Sequence, residues 1–255
     1  MAYIKTETVN HTLIITLDRL ESRNAFNKAM SEEMEAIIDA YEEDKNLRCA
    51  IIRSAGPTFS AGQDLKAAMV GEFAVTEKRG GFGIMSMPPT KPLIAVVDGQ
   101  ALAGGMELCL CCDMIVASKE SIFGLAEAKR ALVALGGGCF RLPRRVPYNV
   151  AMEMIITAEP KTAAEMRSYG FVNKLAESGN VMDEAMKLAK LIERNGPLAV
   201  KMSKAIGAES HSKSWSEETC WKEQMEIVKP LWVSKDREEG IRAFVEKREP
   251  VWTGE

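Results

Sequence analysis

The chain is poor in the residues that many active sites need. Of its 255 residues only two are histidine. His11 sits in the turn VNH and His211 in the polar stretch AESHSKSWS, and neither stands beside a candidate nucleophile. There is also no Gly-x-Ser-x-Gly elbow, so a hydrolase of the Ser-His-acid type is disfavoured. A dinucleotide fingerprint and a P-loop are absent as well. Six cysteines are present, but no Cys-x-x-Cys pair or nearby histidine completes a zinc set, so no metal is expected. Cys109, Cys111 and Cys112 crowd one apolar stretch, as small buried thiols do, and a reducing cytoplasm is the simplest setting. A net charge of −3 gives no reason to expect nucleic acid or an anionic membrane as partner. No apolar run approaches the length of a membrane span, and no secretory, lipidation or peroxisomal signal is evident at either end.

What is present is an alternation of strand-like and helix-like segments. YIKTETVN and TLIITLD flank Asn10-His11 as a hairpin. Apolar residues at Met30, Met34, Ile37, Ile38 and Tyr41 predict a helix over 27–44. RCAIIRS and PLIAVVDG are buried-type strands, which gives an α/β core. Residues 71–89 show weak periodicity, and we expect either a mobile surface segment beside a pocket or a poorly packed connection. The rest is mainly helical and ends in two amphipathic helices suited to packing on a neighbouring subunit.

Two glutamates stand out. Glu107 follows the small-residue turn of GQALAGGMEL at a helix start. Glu127 lies twenty positions later (127 − 107), beyond the strand DMIVAS. A glycine turn entering a helix offers free N–H groups and the positive end of a dipole. Two carboxylates near such a turn suit proton transfer next to a carbonyl whose developing charge the backbone holds. Taken alone, either glutamate reads first as a surface carboxylate at a helix start, and FSAGQDLKA first as an ordinary tight turn.

Three blocks in register, FSAGQDLKA, GQALAGGMEL and FGLAEAKRALVALGGGCFRLPR, resemble the crotonase family of acyl-CoA enzymes. The resemblance runs from the first hairpin to AFVEKREPVW. The first block and the ending PVWTGE are also similar to the carnitinyl-CoA dehydratase (crotonobetainyl-CoA hydratase) branch. The resemblance implies an α/β fold, a spiral of β-β-α turns over residues 1–196. It also implies a helical region, residues 197–255, that builds a homotrimer or a hexamer of paired trimers. It implies an enoyl-CoA hydratase acting on an acyl-CoA thioester, with coenzyme A as part of the substrate and no separate cofactor.

By the same resemblance, the N–H groups of Gln63 and Gly104 form an oxyanion hole. Glu107 orients and activates water, and Glu127 delivers a proton to the α-carbon. Ala61, Gln63, Asp64, Leu65, Lys66 and Gly104 fall in the CoA and substrate set. Arg23 lines the CoA entrance, and Phe244 and Lys247 reach the CoA of an adjacent subunit. Ala126 and Ala134-Leu135 replace a frequent Pro and a frequent Pro-Gly, so Leu135 is expected to narrow the pocket. The run Gly136–Gly138 is read as a turn feeding a helix. Within enzymes, a double-bond isomerase or the crotonobetainyl-CoA hydratase activity is the alternative. RNA binding, known in a few relatives, is disfavoured because the helix over 28–43 is acidic.

Overall fold

The computed structural model describes residues 2–255. The chain opens with strands β1 (Ile4–Val9) and β2 (Thr12–Leu17), paired antiparallel with Ile4 opposite Leu17. Asn10 closes this hairpin in the left-handed region, φ 54°, which Asn tolerates. Helix α1 (Lys28–Glu43) begins where the Asn27 side chain accepts the Met30 N–H at 2.9 Å. Its Met30, Met34, Ile38 and Tyr41 are fully buried, the stripe that the spacing predicts.

Next come β3 (Cys49–Ser54), β4 (Thr58–Ser60) and α2 (Leu65–Met69), then a short hairpin of β5 (Val75–Thr76) and β6 (Gly80–Gly81). A second turn follows as β7 (Leu93–Val97), β8 (Gln100–Leu102) and α3 (Gly104–Cys111). The third is β9 (Met114–Ser118), β10 (Ile122–Gly124), a 310 turn at Glu127–Arg130 and α4 (Gly138–Arg145). The expected β-β-α turn is thus present three times. The first strand of each pair joins one sheet and the second joins another. The six-stranded sheet runs β1-β2-β3-β7-β9-β12, and the four-stranded one runs β11-β10-β8-β4. Intervening elements are α5 (Tyr148–Thr157), β11 (Lys161–Thr162), α6 (Ala163–Ser168), β12 (Lys174–Ala176) and α7 (Val181–Glu193). Strands β3, β7 and β9 are parallel and buried on both faces, which is why they read as unbroken apolar runs. One face packs against the main core. The other meets Val181, Ala185 and Ala189 of α7.

Within residues 71–89, Phe73, Val75 and Met87 stay exposed while the middle of the segment packs into the body. Arg79 is buried, with Nε 2.7 Å from Asp39 and Nη1 donating to the Met87 carbonyl at 2.6 Å. Phe82, Ile84 and Met85 enter the core, and the Phe82 ring stacks on Phe26 with centroids 4.2 Å apart. Weak periodicity here reflects irregular backbone held by one buried ion pair, not loose packing. The chain ends in α8 (Pro197–Ser212), α9 (Glu217–Trp232) and α10 (Lys235–Glu246). Helix α9 buries none of its residues, and Trp221, Met225 and Trp232 lie open on it. The tail returns to the body. Thr253 and Gly254 donate N–H groups to buried Asp236 at 2.7 and 3.0 Å, and Arg48 reaches the Trp252 carbonyl at 3.1 Å. Among the described residues, no helix is long and apolar enough to cross a membrane.

Candidate active site

The local geometry of two backbone turns comes first. Phe26 bridges the segment around Gln63 in parallel. It donates to the Gly62 carbonyl and accepts from the Asp64 N–H, both at 2.8 Å. In such a bridge the flanking residues make the bonds, so Gln63 turns its own N–H to the opposite side. Gly104 is the first residue of α3, where an N–H has no intrahelical acceptor. Neither N–H has a protein acceptor among the described residues. The two segments touch: a Cβ on Gly62 (φ 96°) would lie 2.9 Å from the Gly104 nitrogen. Ala103, just before, holds φ 51° and ψ −126°, a strained conformation pinned by its N–H to the Gly124 carbonyl at 2.8 Å. The Phe82 ring fills the space on which a Gly104 side chain would intrude, 2.5 Å from such a Cβ. Sequence and packing thus aim two free donors from neighbouring turns.

Glu107 sits in the first turn of α3, 4% exposed. Its Oε1 accepts the Gly138 N–H at 2.9 Å, and the Gly136 backbone also donates to it. Burial raises its pKa, while these donors and the charge of Arg141 oppose the rise. Glu127 begins the 310 turn. Its Oε2 is buried without a hydrogen-bond partner. Burial first, and the charge of Glu107 second, push its pKa up to about 7. The two carboxylates are therefore electrostatically coupled and differently held: Glu107 is fixed as an acceptor, while Glu127 Oε2 has no partner. Glu127 lines a cavity of about 150 Å3 with Leu125, Ala128, Val133, Ala134, Cys139 and Ile155. A larger cleft of about 430 Å3 lies between α10 and the tail. It contains neither glutamate, and its Arg248 and Glu239 already pair with each other.

The other sequence-predicted residues divide. Ala61, Gln63, Leu65 and Lys66 lie along the segment from β4 into α2, and the Ala61 N–H donates to the carbonyl of exposed Arg23 at 3.0 Å. Asp64, expected in the CoA and substrate set, is engaged within the chain. Its carboxylate caps α2 through the Lys66 and Ala67 N–H groups and pairs with Arg19 at 2.8 Å. Leu135 does not narrow the cavity. Its side chain is 86% exposed, and buried Ala134 forms the wall instead. Phe244 and Lys247 are exposed at the end of α10, with no hydrogen bond or ion pair to the group around Glu107 among the described residues. Sequence reasoning missed Arg141, whose Nη2 donates to the Met85 carbonyl at 2.6 Å and whose Nη1 donates to Gly136 at 3.2 Å. The glycine run Gly136–Gly138 does feed α4, as expected, but that it also holds Glu107 was missed. The signal was the adjacency of GGG to a conspicuous carboxylate-bearing block.

Comparison with known proteins agrees with this geometry. A family model described as enoyl-CoA hydratase/isomerase matches residues 7–255. An enoyl-CoA hydratase of Mycobacterium tuberculosis is 36% identical over 251 residues, covering 96% of this chain and 94% of its own. A carnitinyl-CoA dehydratase of Escherichia coli K12 is 38% identical, covering 95% of each chain. A crystal structure of an enoyl-CoA hydratase from Mycobacterium tuberculosis superposes with a TM-score of 0.96 at 46% identity, covering 100% of both chains. The chain belongs to the enoyl-CoA hydratase/isomerase family, the crotonases, and has their fold.

Proposed function

We propose that this protein is an enoyl-CoA hydratase, adding water reversibly to a 2-enoyl-CoA thioester. The observation that carries the reading is the pair of coupled carboxylates held in different surroundings. Glu107 is held by backbone donors, and Glu127 has a buried oxygen with no partner. Addition of water places the water oxygen on the β-carbon and a proton on the α-carbon, and negative charge builds on the thioester oxygen. The Gln63 and Gly104 N–H groups take that charge, each worth about 3 kcal/mol if they behave like other oxyanion donors. Glu107 accepts a proton from the attacking water. Glu127, still protonated near neutral pH, gives its proton to the α-carbon, and the pair then exchanges one proton to reset. No group beyond the chain and its CoA substrate is needed.

The exposed apolar faces of α9 and α10 support a homotrimer, or paired trimers, built by residues 197–255 on the core of residues 1–196, with Phe244 and Lys247 serving a neighbour's CoA. Six free cysteines, four of them buried, support a reducing cytoplasmic setting.

Loss of enoyl absorbance with 2-enoyl-CoAs tests the reading. Steady hydration that Glu127→Gln abolishes supports it. One observation favours a second reading: Glu127 alone has a free oxygen, and a single carboxylate suffices for a double-bond isomerase. Fast conversion of 3-enoyl to 2-enoyl thioester without hydration would establish that reading instead.

A further inference from the structure

Glu107 is held by a soft piece of chain. Gly136, Gly137 and Gly138 have no side chains to pack, and Gly137 sits at φ 113°. Such a run has more backbone freedom to lose than any other three residues, so it does not stay in one conformation unaided. Yet the Gly136 and Gly138 backbones both donate to the Glu107 carboxylate. The group that fixes the run is the Arg141 side chain of α4. Its Nη1 donates to the Gly136 carbonyl at 3.2 Å, and its Nη2 donates to the Met85 carbonyl at 2.6 Å. Nη1 also donates to Cys111 Sγ at 3.2 Å, and that thiol donates in turn to the Glu107 carbonyl at 3.2 Å. The guanidinium rests against Gly137, where a Cβ would stand 2.9 Å from Nη1. One planar fork thus ties together the glycine run, the 71–89 segment and the helix that carries Glu107.

Resting on the hydratase reading, we propose that Arg141 is a positioning residue for hydration: its guanidinium holds the glycine run in the conformation from which Gly136 and Gly138 orient Glu107 toward the attacking water. A lysine cannot replace it, because an ammonium is a point charge and two carbonyls in different directions call for a fork. The guanidinium also brings a positive charge to Glu107. The titratable groups facing Glu107 are Arg141 from α4, Glu127 from the 310 turn, and the thiols of Cys111 on its own helix and Cys139 on α4. Burial pushes both thiols up, so they stay neutral, and Arg141 is the cation that opposes burial in keeping Glu107 ionised. Arg145, one turn further along α4, offers a control. It donates to the Cys112 and Leu110 carbonyls at 3.2 and 3.4 Å and has no hydrogen bond to the glycine run or to Glu107 among the described residues.

Hydrogen exchange read by mass spectrometry on the full chain tests the clamp without turnover. In Arg141→Gln and Arg141→Lys the amides of residues 136–138 should exchange at least roughly tenfold faster than in the parent, while β3, β7 and β9 keep their protection. Arg145→Gln should leave the run unchanged. Hydration by the same proteins should lose roughly 10- to 100-fold in kcat in both Arg141 variants, with KM for the thioester within about twofold, because orientation is lost and binding is not. Charge separates the two variants. Only Arg141→Gln should move the acidic limb of the kcat profile to higher pH, since Glu107 without its cation is harder to ionise. In a Glu107→Gln background, Arg141→Gln should cost less than about threefold, because a residue that acts through Glu107 has nothing left to position. If Arg141→Gln does not fold, Arg141→Lys decides. Unchanged exchange at residues 136–138, full kcat in the folded variants, an unmoved acidic limb in Arg141→Gln, or an undiminished loss on top of Glu107→Gln would overturn the proposal. Faster exchange in the variants of a parent that never hydrates defeats the hydratase reading and leaves the clamp standing. Hydration by the parent with exchange unchanged in the variants does the reverse.

Discussion

At the scale of single residues, the site depends on how two like charges are kept apart. Glu107 accepts backbone N–H groups from the glycine run, whereas Glu127 Oε2 is buried without a partner and burial, then the charge of Glu107, push the Glu127 pKa up to about 7. Hydration should fall about tenfold per pH unit above that point as Glu127 ionises, and a pH-rate profile of kcat checks it. The same group affects stability. Its pKa rises from an ordinary 4.5 to about 7, so the folded chain holds a proton there that the unfolded chain has released. That contribution is present below about 4.5 and is lost as pH climbs from about 4.5 through about 7. The melting temperature should therefore decline across this window in the parent, and more gently in Glu127→Gln. Glu107→Gln and Glu127→Gln should each lower hydration roughly 100- to 10,000-fold. The double variant should cost little more than the worse single one, because the pair acts as a unit. Additive losses in single-turnover rates would separate the two roles.

At the scale of elements, each β-β-α turn delivers one part of the site. The first supplies Gln63, the second Gly104 and Glu107, and the third Glu127 with the glycine run. Proline at the first position of a helix is tolerated by the backbone yet lacks the N–H. Gly104→Pro should thus lose roughly 100- to 1,000-fold in turnover relative to Gly104→Ala, which meets the same Phe82 ring but keeps the N–H. Normal turnover in the folded variant would remove this donor from the mechanism. Much of this was legible beforehand. The α1 stripe, the buried strands and the glutamate spacing follow from periodicity and small-residue turns. Three things were not. The ion pair of Asp64 with Arg19 was hidden because it requires knowing that residues 45 apart meet. Leu135 looked inward because chain order does not say which way a turn faces. Arg79 and Arg141 went unremarked because a single arginine carries no signal of the contacts that it makes.

At the scale of the molecule, the C-terminal helices leave apolar area open that a lone chain does not cover. Sedimentation should therefore give a mass of three or six chains. A substitution such as Ile241→Asp on α10 should dissociate that assembly and raise KM for the thioester. Lys247→Ala should raise KM by about tenfold with kcat nearly unchanged, because a cation on a remote phosphate binds ground and transition states alike. The difference should shrink at high salt. A kcat defect with KM unchanged would count against this placement.

The close approach of Gly62 to Gly104, and of Gly136 to Glu107, also governs how this gene can drift. A methyl group at Gly136 would lie 2.7 Å from Glu107 Oε2 and 2.3 Å from Met85 Sδ. The smallest heritable change at such a codon is thus already a lesion. Exposed Leu135, one position away, can vary at little cost. Under selection for activity, a library covering this region should show sharp intolerance at backbone contact points and broad freedom beside them. The outline of the site would then appear as a pattern of forbidden side chains.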